Sequence, residues 1–230
     1  MSDSAAASPI RSGSYRAVIF DLDGTLIDSL ADIATAANSV LADNRYPVHP
    51  IASYRTFVGD GVKTLFERAL PTDQNSVPIV NRCAGAFSSA YARTWNVQTR
   101  LYTGVSELLD TLSASPLRLA VLSNKPDAFT KTCMAHFCDA WPFAAIAGQR
   151  EEIPKKPDPA GALRIAAELG LEPREIAFVG DSSVDMLTAR NAGMFAVGVS
   201  WGFRPVAELW ENGAERVIDS PGELLELIRS

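Results

Sequence analysis

The segment FDLDGTLIDS, residues 20–29, begins at the end of a continuous apolar run, AVIF at residues 17–20. Such a run is typical of a strand that is buried on both faces of a sheet. Two carboxylates follow it, and because side chains alternate along an extended chain, Asp21 and Asp23 are expected on the same side. Adjacent carboxylates repel each other unless a cation or a proton is supplied. The segment therefore predicts an acidic site at the end of a buried strand.

An ordinary turn would explain part of the same segment. Asp and Gly are common turn residues, and Gly24 would supply backbone freedom after the strand. Ser29, followed three residues later by Asp32, predicts a capping box at the start of a helix. These residues alone do not separate an acidic turn from a functional site, so the choice depends on the rest of the chain.

Composition places the chain among globular proteins, because 47% of its 230 residues are hydrophobic and 21% are charged. The net charge of −6 argues against sequence-independent binding to nucleic acid, which requires a basic face. No apolar run approaches the ~20 residues that cross a bilayer, so a membrane is not an expected partner. Nucleic acid is not an expected partner either, because of the net charge. Cys83, Cys133 and Cys138 do not make a disulfide framework, which favours a cytoplasmic location.

Two patterns divide the chain. Residues 28–98 show apolar stripes at helical spacing and no convincing strand. Later, helix candidates alternate with strand candidates at residues 117–122, 144–147, 176–179, 195–199 and 216–218. This alternation predicts parallel strands in a doubly wound, Rossmann-like α/β sheet. We therefore expect a flexible tail at residues 1–14, an α/β core at 15–27 and 99–230, and an inserted α-helical cap at 28–98.

Polar residues follow four of the predicted strands. In open α/β sheets ligands bind beyond the carboxyl ends of the strands, so these residues should gather at one edge. They are Asp21 and Asp23 after the first strand, Ser123 and Asn124 after the second, Lys155 and Lys156 after the third, and Asp181 after the fourth. Their convergence is a stronger signal than any one of them.

Each of these signals also has a structural explanation. Ser123 and Asn124 could cap a helix near Pro126, although a hydroxyl and the amides of a helix start also suit a phosphate. Lys156 could be a solvated lysine or could offset clustered carboxylates. Ser182 could cap a helix that has Asp185 in its first turn. That explanation does not account for Asp181, and several carboxylates together suit Mg²⁺.

The motifs together resemble those of the haloacid dehalogenase superfamily in its phosphotransferase form. The resemblance rests on Asp-x-Asp-Gly-Thr at residues 21–25 and Gly-Asp-Ser-x-x-Asp at residues 180–185. Ser123 and Lys156 occur in the expected order, with the lysine directly before Pro157. The superfamily's dehalogenases carry an aromatic residue where Asp23 stands, and its phosphonate-cleaving branch carries a small one. The resemblance therefore implies phosphoryl transfer.

The resemblance also implies catalytic roles. Asp21 would attack phosphorus and form an aspartyl-phosphate that water hydrolyses. Asp23 would protonate the leaving oxygen and later deprotonate the water, and for the first task it must hold a proton. Ser123, Asn124 and Lys156 would bind the phosphate.

A Mg²⁺ cofactor is implied as well. It would be held by the Asp21 carboxylate, the backbone carbonyl of Asp23 and the Asp181 carboxylate, with Asp185 supporting it indirectly.

The predicted cap narrows the resemblance. YRTFVGDG at residues 54–61, with Leu65 and residues 67–70, is similar to the lid of phosphoglycolate phosphatases, as are residues 157–159 and 199–202. The glycines could simply form a turn before a helix. The resemblance implies 2-phosphoglycolate as substrate, and we expect Arg55 or Lys63 to meet its carboxylate.

Several alternatives remain open at this stage. A sugar phosphomutase, a pyrophosphatase or a broad phosphatase for small metabolites would share the core motifs. A non-catalytic phosphate-binding module on this fold is a further alternative. The combination of Asp21, Asp23, Lys156 and Asp181 argues against the last one, because binding alone needs no acid beside a nucleophile. The expected partner is a small phosphorylated metabolite, and the protein could be a monomer or a homodimer.

Overall fold

The computed structural model describes residues 15–229, so the predicted tail at residues 1–14 lies outside the described residues. The described part contains eight strands and ten α-helices. The strands are β1 (Ala17–Phe20), β2 (Ile27–Asp28), β3 (Arg100–Leu101), β4 (Arg118–Pro126), β5 (Phe143–Gln149), β6 (Ile176–Gly180), β7 (Phe195–Val199) and β8 (Arg216–Ile218). The helices are α1 (Leu30–Asp43), α2 (Tyr54–Phe57), α3 (Val62–Ala69), α4 (Val77–Tyr91), α5 (Val105–Ser113), α6 (Asp127–Phe137), α7 (Ala160–Leu169), α8 (Ser183–Ala192), α9 (Val206–Glu211) and α10 (Pro221–Arg229).

Six strands form one parallel sheet in the order β5-β4-β1-β6-β7-β8. The first strand of the sequence lies at its centre, where Phe20 is level with Val121 of β4 and Val179 of β6. The residues that follow these three strands are therefore brought to one edge. The predicted doubly wound α/β sheet with an inserted helical cap is confirmed.

The apolar run of β1 is buried on both faces of this sheet. Val18 and Phe20 contribute to the apolar core on one face, and Ala17 and Ile19 contribute to the core on the other. All four are at most 1% exposed. Burying a side chain such as Phe20 or Ile19 contributes about 1.5–3 kcal/mol, so the run fixes the position of the two carboxylates that follow it.

Helices α1 to α4 form a separate apolar cluster between β2 and β3. The two short strands pair antiparallel, Ile27 with Leu101 and Asp28 with Arg100, at the point where the chain leaves the α/β core and returns to it. The sequence patterns do not indicate this pair of strands. It lies next to the expected boundaries at residues 28 and 98, which we retain as a proposal for the division into core and cap.

The predicted capping box of Ser29 and Asp32 is wrong. Ser29 instead donates its hydroxyl hydrogen to Asp23 Oδ1 at 2.5 Å. Asp32 is buried and accepts hydrogen bonds from the backbone amides of Gln98 and Thr99 and from the Thr99 hydroxyl. The capping box would have required the Asp32 carboxylate. That carboxylate instead binds the backbone of residues 98–99, where the chain returns to the α/β core.

The strand before Ser123 is longer than predicted. The sequence pattern ends it at residue 122, whereas β4 continues to Pro126 and α6 begins at Asp127. Ser123 and Asn124 thus lie in the strand, and neither caps the helix. In the part of the chain that the structure describes, no helix has the length and apolar character needed to cross a membrane.

Candidate active site

Asp21 lies at the centre of the sheet edge. It directly follows β1, and its backbone amide donates to the carbonyl of Val179 at 2.9 Å, which continues the pairing with β6. Its carboxylate Oδ1 lies 2.8 Å from Nζ of Lys156. Ser123, in the neighbouring strand β4, lines the same cavity. The structure therefore brings together three of the predicted site residues, Asp21, Ser123 and Lys156.

Lys156 connects two carboxylates. Besides Asp21, its Nζ contacts Asp185 Oδ1 at 2.6 Å, and only 3% of the Lys156 side chain is exposed. Burial alone would lower the pKa of Lys156, but the carboxylates of Asp185 and Asp21 outweigh it and raise that pKa above its usual value. The ammonium is therefore charged and held between the two acids. Lys155, the neighbour that the sequence left as an alternative, points elsewhere and donates to the carbonyl of Asp60 at 2.6 Å.

Asn124 holds the loop that carries Lys156. Its Oδ1 accepts from the Lys156 backbone amide at 2.9 Å, and its Nδ2 donates to the Lys156 carbonyl at 3.1 Å and to the carbonyl of Gly59 at 3.0 Å. These three bonds occupy the side-chain amide. The Asn124 side chain thus positions Lys156 and touches the cap, and its predicted contact with phosphate stays a prediction.

Three carboxylates surround the same point. Oxygen atoms of Asp21, Asp181 and Asp185 lie within 4.8 Å of one another, and all three residues are buried. Burial, followed by the negative charge of Asp185, raises the pKa of Asp21 to about 6, although Lys156 opposes the shift. Burial and the charges of Asp185 and Asp21 likewise raise the pKa of Asp181 well above its usual value. The cluster holds more negative charge than its single ammonium can balance.

Two acids of the cluster, Asp181 and Asp185, are oriented by backbone amides. Asp181 Oδ2 accepts from the Phe203 amide at 2.6 Å. Asp185 Oδ2 accepts from the Ser182 amide and hydroxyl at the start of α8, so the predicted capping box is present there. Asp185 therefore serves the helix end, Lys156 and the carboxylate cluster at once.

Two glycines leave room beside Asp181. A Cβ at Gly202 would lie 2.2 Å from the Asp181 Cβ, and one at Gly24 would lie 2.3 Å from Asp181 Oδ2. Gly24 also has φ +93°, which side-chain-bearing residues rarely adopt. No larger residue fits at either position without displacing the carboxylate.

The donor set fits a divalent cation. Three carboxylates and one ammonium leave a formal charge of −2. Clustered carboxylate oxygens suit hard cations such as Mg²⁺, and a bound cation would reverse the upward pKa shifts. The residues in contact range of such an ion are Asp21, Asp181 and Asp185.

Asp23 lies beside this cluster but has different partners. Its Oδ1 accepts from Ser29, and both of its oxygens contact Nζ of Lys125, at 2.9 and 3.0 Å. Lys125 Nζ also donates to the hydroxyl of Tyr91 at 2.8 Å. Tyr91 ends α4, so this chain of contacts runs from the predicted acid–base residue into the cap.

The sequence motifs do not indicate Lys125 or Tyr91. Lys125 follows Ser123 and Asn124, where a helix was expected to begin, and a lysine in such a turn is ordinarily solvated. Its side chain is only 6% exposed because β4 continues past it. One sequence signal was available for Lys125, because the apolar run before it can continue as a strand through the lysine. Nothing in the sequence indicates that Tyr91 lies against Lys125.

A cavity lies between the sheet edge and the cap. Asp21, Asp23, Ser123, Asn124 and Lys125 contribute the polar part of its lining on the core side. The remaining lining residues are Ile33, Val58, Gly59, Gly61, Val62, Leu65, Phe87, Ser88, Tyr91, Pro126 and Phe129. Phosphate chemistry at Asp21 would therefore take place under a largely apolar cover.

Arg55 and Lys63 do not line this cavity. Both residues are exposed, and Arg55 donates to the carbonyl of Gly202 at 2.9 Å. The expectation that one of them meets a substrate carboxylate stays a prediction, and the lining of this cavity does not contribute support for it. Arg55 instead joins the cap to the core.

Three successive carbonyls of the cap accept hydrogen bonds from core side chains. Val58 accepts from Arg204 at 3.1 Å, Gly59 from Asn124, and Asp60 from Lys155. With the reverse bond from Arg55, these contacts form what we call the carbonyl clasp. The clasp holds the loop before α3 against the sheet edge.

Comparison with known proteins agrees with this geometry. Residues 18–199 match the family model of the haloacid dehalogenase-like hydrolases. The chain is similar to the phosphoglycolate phosphatase of Nitrosospira multiformis, with 32% identity over 93% of this chain and 96% of the relative. That of Haemophilus influenzae strain 86-028NP is 32% identical over 93% of this chain and 98% of its own length.

A solved structure shares the architecture. The crystal structure of a predicted phosphoglycolate phosphatase from Haemophilus somnus superposes with a TM-score of 0.86 at 29% identity, covering 93% of this chain and 97% of that one. The likeness thus includes sheet, cap and site edge together. The chain belongs to the haloacid dehalogenase-like hydrolases and is a phosphatase of the branch that resembles phosphoglycolate phosphatases.

Proposed function

We propose that this phosphatase hydrolyses 2-phosphoglycolate through an aspartyl-phosphate on Asp21, with Mg²⁺ as cofactor. The observation that carries the chemistry is the placement of Asp21 at the cavity floor, 2.8 Å from the buried ammonium of Lys156 and next to two further carboxylates. A carboxylate in this position can approach the phosphorus of a phosphate group because the Lys156 ammonium offsets the negative charge of that group.

The reaction divides into two displacements. A carboxylate oxygen of Asp21 bonds to phosphorus as the bond to the leaving oxygen breaks, and Asp23 gives that oxygen a proton. Water then attacks the phosphorus of the aspartyl-phosphate and loses its proton to Asp23. The Asp21 carboxylate and inorganic phosphate are regenerated. Asp23 suits both steps because it shares the cavity with Asp21 but is held by different partners, Ser29 and Lys125.

Lys156 and Ser123 bind the phosphate in this proposal. Lys156 offsets the charge of the transferred group, and its fixed position between Asp21 and Asp185 requires no rearrangement during the reaction. Ser123 lines the cavity and offers its hydroxyl. Asn124 acts through the Lys156 loop.

Bound Mg²⁺ would neutralise charge on the nucleophile and the phosphate. Asp21 and Asp181 supply carboxylate oxygens for it, and we retain the Asp23 backbone carbonyl as a proposed ligand. Asp185 supports the site through Lys156 and through its cap of α8. Phe203 keeps Asp181 in place by donating its amide hydrogen.

Two observations support 2-phosphoglycolate among phosphate esters. Relatives that align over almost the whole chain carry the name phosphoglycolate phosphatase. The cavity also has few polar groups above its floor, which suits a short leaving group better than a sugar. The three cysteines are free and buried, which is compatible with the cytoplasmic location that we propose.

A substrate panel tests the proposal. We would measure phosphate release from 2-phosphoglycolate, hexose phosphates, nucleotides and pyrophosphate, with Mg²⁺ and with chelator. Asp21→Asn should abolish turnover while leaving the fold intact, and Asp28→Asn, at a partly exposed residue of the same segment, is the matched control. Wild-type-like turnover by Asp21→Asn would refute the mechanism. A hexose phosphate or pyrophosphate preferred over 2-phosphoglycolate would refute the substrate and leave the mechanism standing.

A further inference from the structure

Lys125 is the one lysine or arginine among the described residues that line the active-site cavity. Arg55 and Lys63, the cap residues expected to meet a substrate carboxylate, lie outside the lining. Lys156 contacts Asp21 and Asp185 in the carboxylate cluster beneath. An anionic leaving group that entered the cavity would therefore meet a single cation on its walls.

Lys125 is held in a way that suits recognition. Its side chain is 6% exposed, and its three ammonium hydrogens are directed to the two oxygens of Asp23 and to the hydroxyl of Tyr91. Burial would lower the pKa of Lys125, but Asp23 and Tyr91 outweigh it and raise that pKa. The cation is thus charged and nearly fixed, so little entropy is lost when it binds a ligand.

Tyr91 brings a second donor to the same place. Its hydroxyl oxygen accepts from Lys125, which leaves the hydroxyl hydrogen available to an acceptor in the cavity. The ring is held by stacking on Phe87 and by an edge contact with Phe129, both of which also line the cavity. The Lys125 Nζ and the Tyr91 hydroxyl oxygen lie 2.8 Å apart. Two donors at this separation match the two oxygens of a carboxylate.

The other walls give little to a hydroxylated substrate. Apart from the Tyr91 hydroxyl, the lining on the cap side is apolar except for Ser88 and the backbone near Gly59 and Gly61. A sugar would leave several of its hydroxyls without partners after losing water, and such groups are costly to bury. The same walls accept the single methylene group of a two-carbon acid.

We propose that Lys125, assisted by Tyr91, binds the carboxylate of the substrate and so selects short carboxylate-bearing phosphate esters. The inference rests on the proposed function, since it names the residues that would recognise the glycolate part. An ammonium donates only three hydrogen bonds, so the substrate carboxylate takes the place of an Asp23 oxygen. The exchange leaves Asp23 free to act on the leaving oxygen. A neutral ester causes no such exchange.

A comparison of two substrates tests this assignment. 2-Phosphoglycolate and 2-hydroxyethyl phosphate have leaving groups of similar length, but only the first carries a carboxylate. We would measure kcat and KM for both with wild type, Lys125→Met and Tyr91→Phe. Lys125→Met should lower the preference for 2-phosphoglycolate about 10- to 100-fold, and Tyr91→Phe about 3- to 10-fold, because charged hydrogen bonds to the carboxylate are lost.

The controls separate the possible failures. Lys131→Met removes an exposed lysine that pairs with Asp127 on α6 and should leave the preference unchanged. If wild type does not prefer 2-phosphoglycolate, the proposed function fails before Lys125 is tested. If wild type prefers it but Lys125→Met slows both substrates equally, Lys125 acts only through Asp23 and the present inference is wrong.

Folding is checked independently by circular dichroism. Tyr91→Phe keeps the ring that packs on Phe87 and Phe129, so it remains informative if Lys125→Met does not fold. An unchanged substrate preference in a folded Tyr91→Phe variant would remove Tyr91 from the assignment. A loss of preference in Arg55→Met or Lys63→Met, with none in Lys125→Met, would transfer recognition to the cap surface.

Discussion

The sheet edge and the cap boundary are both held by hydrogen bonds, but their acceptors differ. At the edge, Lys156 pairs with the side chains of Asp21 and Asp185, and all three side chains are at most 11% exposed. At the boundary, the carbonyl clasp directs core side chains to the backbone of residues 58–60. A side-chain acceptor requires a particular residue, whereas a carbonyl is present whatever the residue. The edge therefore depends on the identity of its acceptor residues, whereas the clasp tolerates sequence change at residues 58–60.

The largest expected effect is at the edge. Lys156→Met leaves Asp21 and Asp185 buried without their cation, and breaking such a pair costs about 3–5 kcal/mol in the free energy of unfolding. Loss of its charge from the proposed phosphate site should also lower kcat/KM at least about 100-fold. Urea unfolding in chelator and steady-state kinetics measure the two effects. Lys131→Met is the control, and its free energy of unfolding should stay within about 0.5 kcal/mol of wild type.

An unchanged free energy of unfolding in Lys156→Met would mean that the buried acids find other compensation. The contrast between edge and boundary would then lose its energetic basis, although the loss of activity could remain.

An intermediate effect concerns pH. Because the pKa of Asp21 is raised to about 6, the folded metal-free protein binds this proton more tightly than the unfolded chain does. The stability that it contributes is present at low pH and is lost as pH rises through about 6. In chelator, wild type should lose roughly 1–2 kcal/mol more than Asp21→Asn between pH 5 and pH 8. Unfolding experiments at the two pH values measure this difference.

Added Mg²⁺ should act in the opposite direction. It requires ionised carboxylates, so the increase in melting temperature that it causes should be larger at pH 8 than at pH 5. Equal increases at both pH values, or none, would argue against a cation at the carboxylate cluster.

The smallest effect is expected at the clasp. Arg204→Met removes one hydrogen bond to the Val58 carbonyl, and Arg55→Met removes one to Gly202. Each should change the free energy of unfolding by about 0.5–1.5 kcal/mol and raise KM a few-fold with little change in kcat. Both parameters come from the same kinetic series as Lys156→Met. A clasp variant that lost activity as completely as Lys156→Met would show that the boundary is as specific as the edge.

The edge could be predicted from sequence because its residues are tied to local patterns. The apolar run of β1 fixes Asp21 and Asp23, and the strand before Asp181 is followed by a capping pattern that the structure contains. Parallel strands then bring these separate segments together without further information. Their proposed catalytic roles remain predictions, since geometry alone does not test them.

The boundary could not be predicted because its contacts join distant segments through generic acceptors. Arg55 meets a carbonyl 147 residues away, and no pattern near either residue indicates the pairing. Lys125 was missed for a related reason, since its burial depends on β4 continuing and on Tyr91 arriving from the cap. The Ser29 capping box failed because Asp23, close in space, competed for its hydroxyl.

The segment from Trp201 to Arg204 belongs to the core by sequence but serves both regions. Trp201 donates to the Thr25 carbonyl, the Phe203 amide holds Asp181, and the Phe203 side chain packs into the apolar cluster of the cap. Chimaeras that exchange residues 28–98 alone would therefore leave a foreign aromatic ring in the new cap and disturb Asp181 of the carboxylate cluster. Cap grafting should carry this segment along, since two stretches of the gene specify one structural unit.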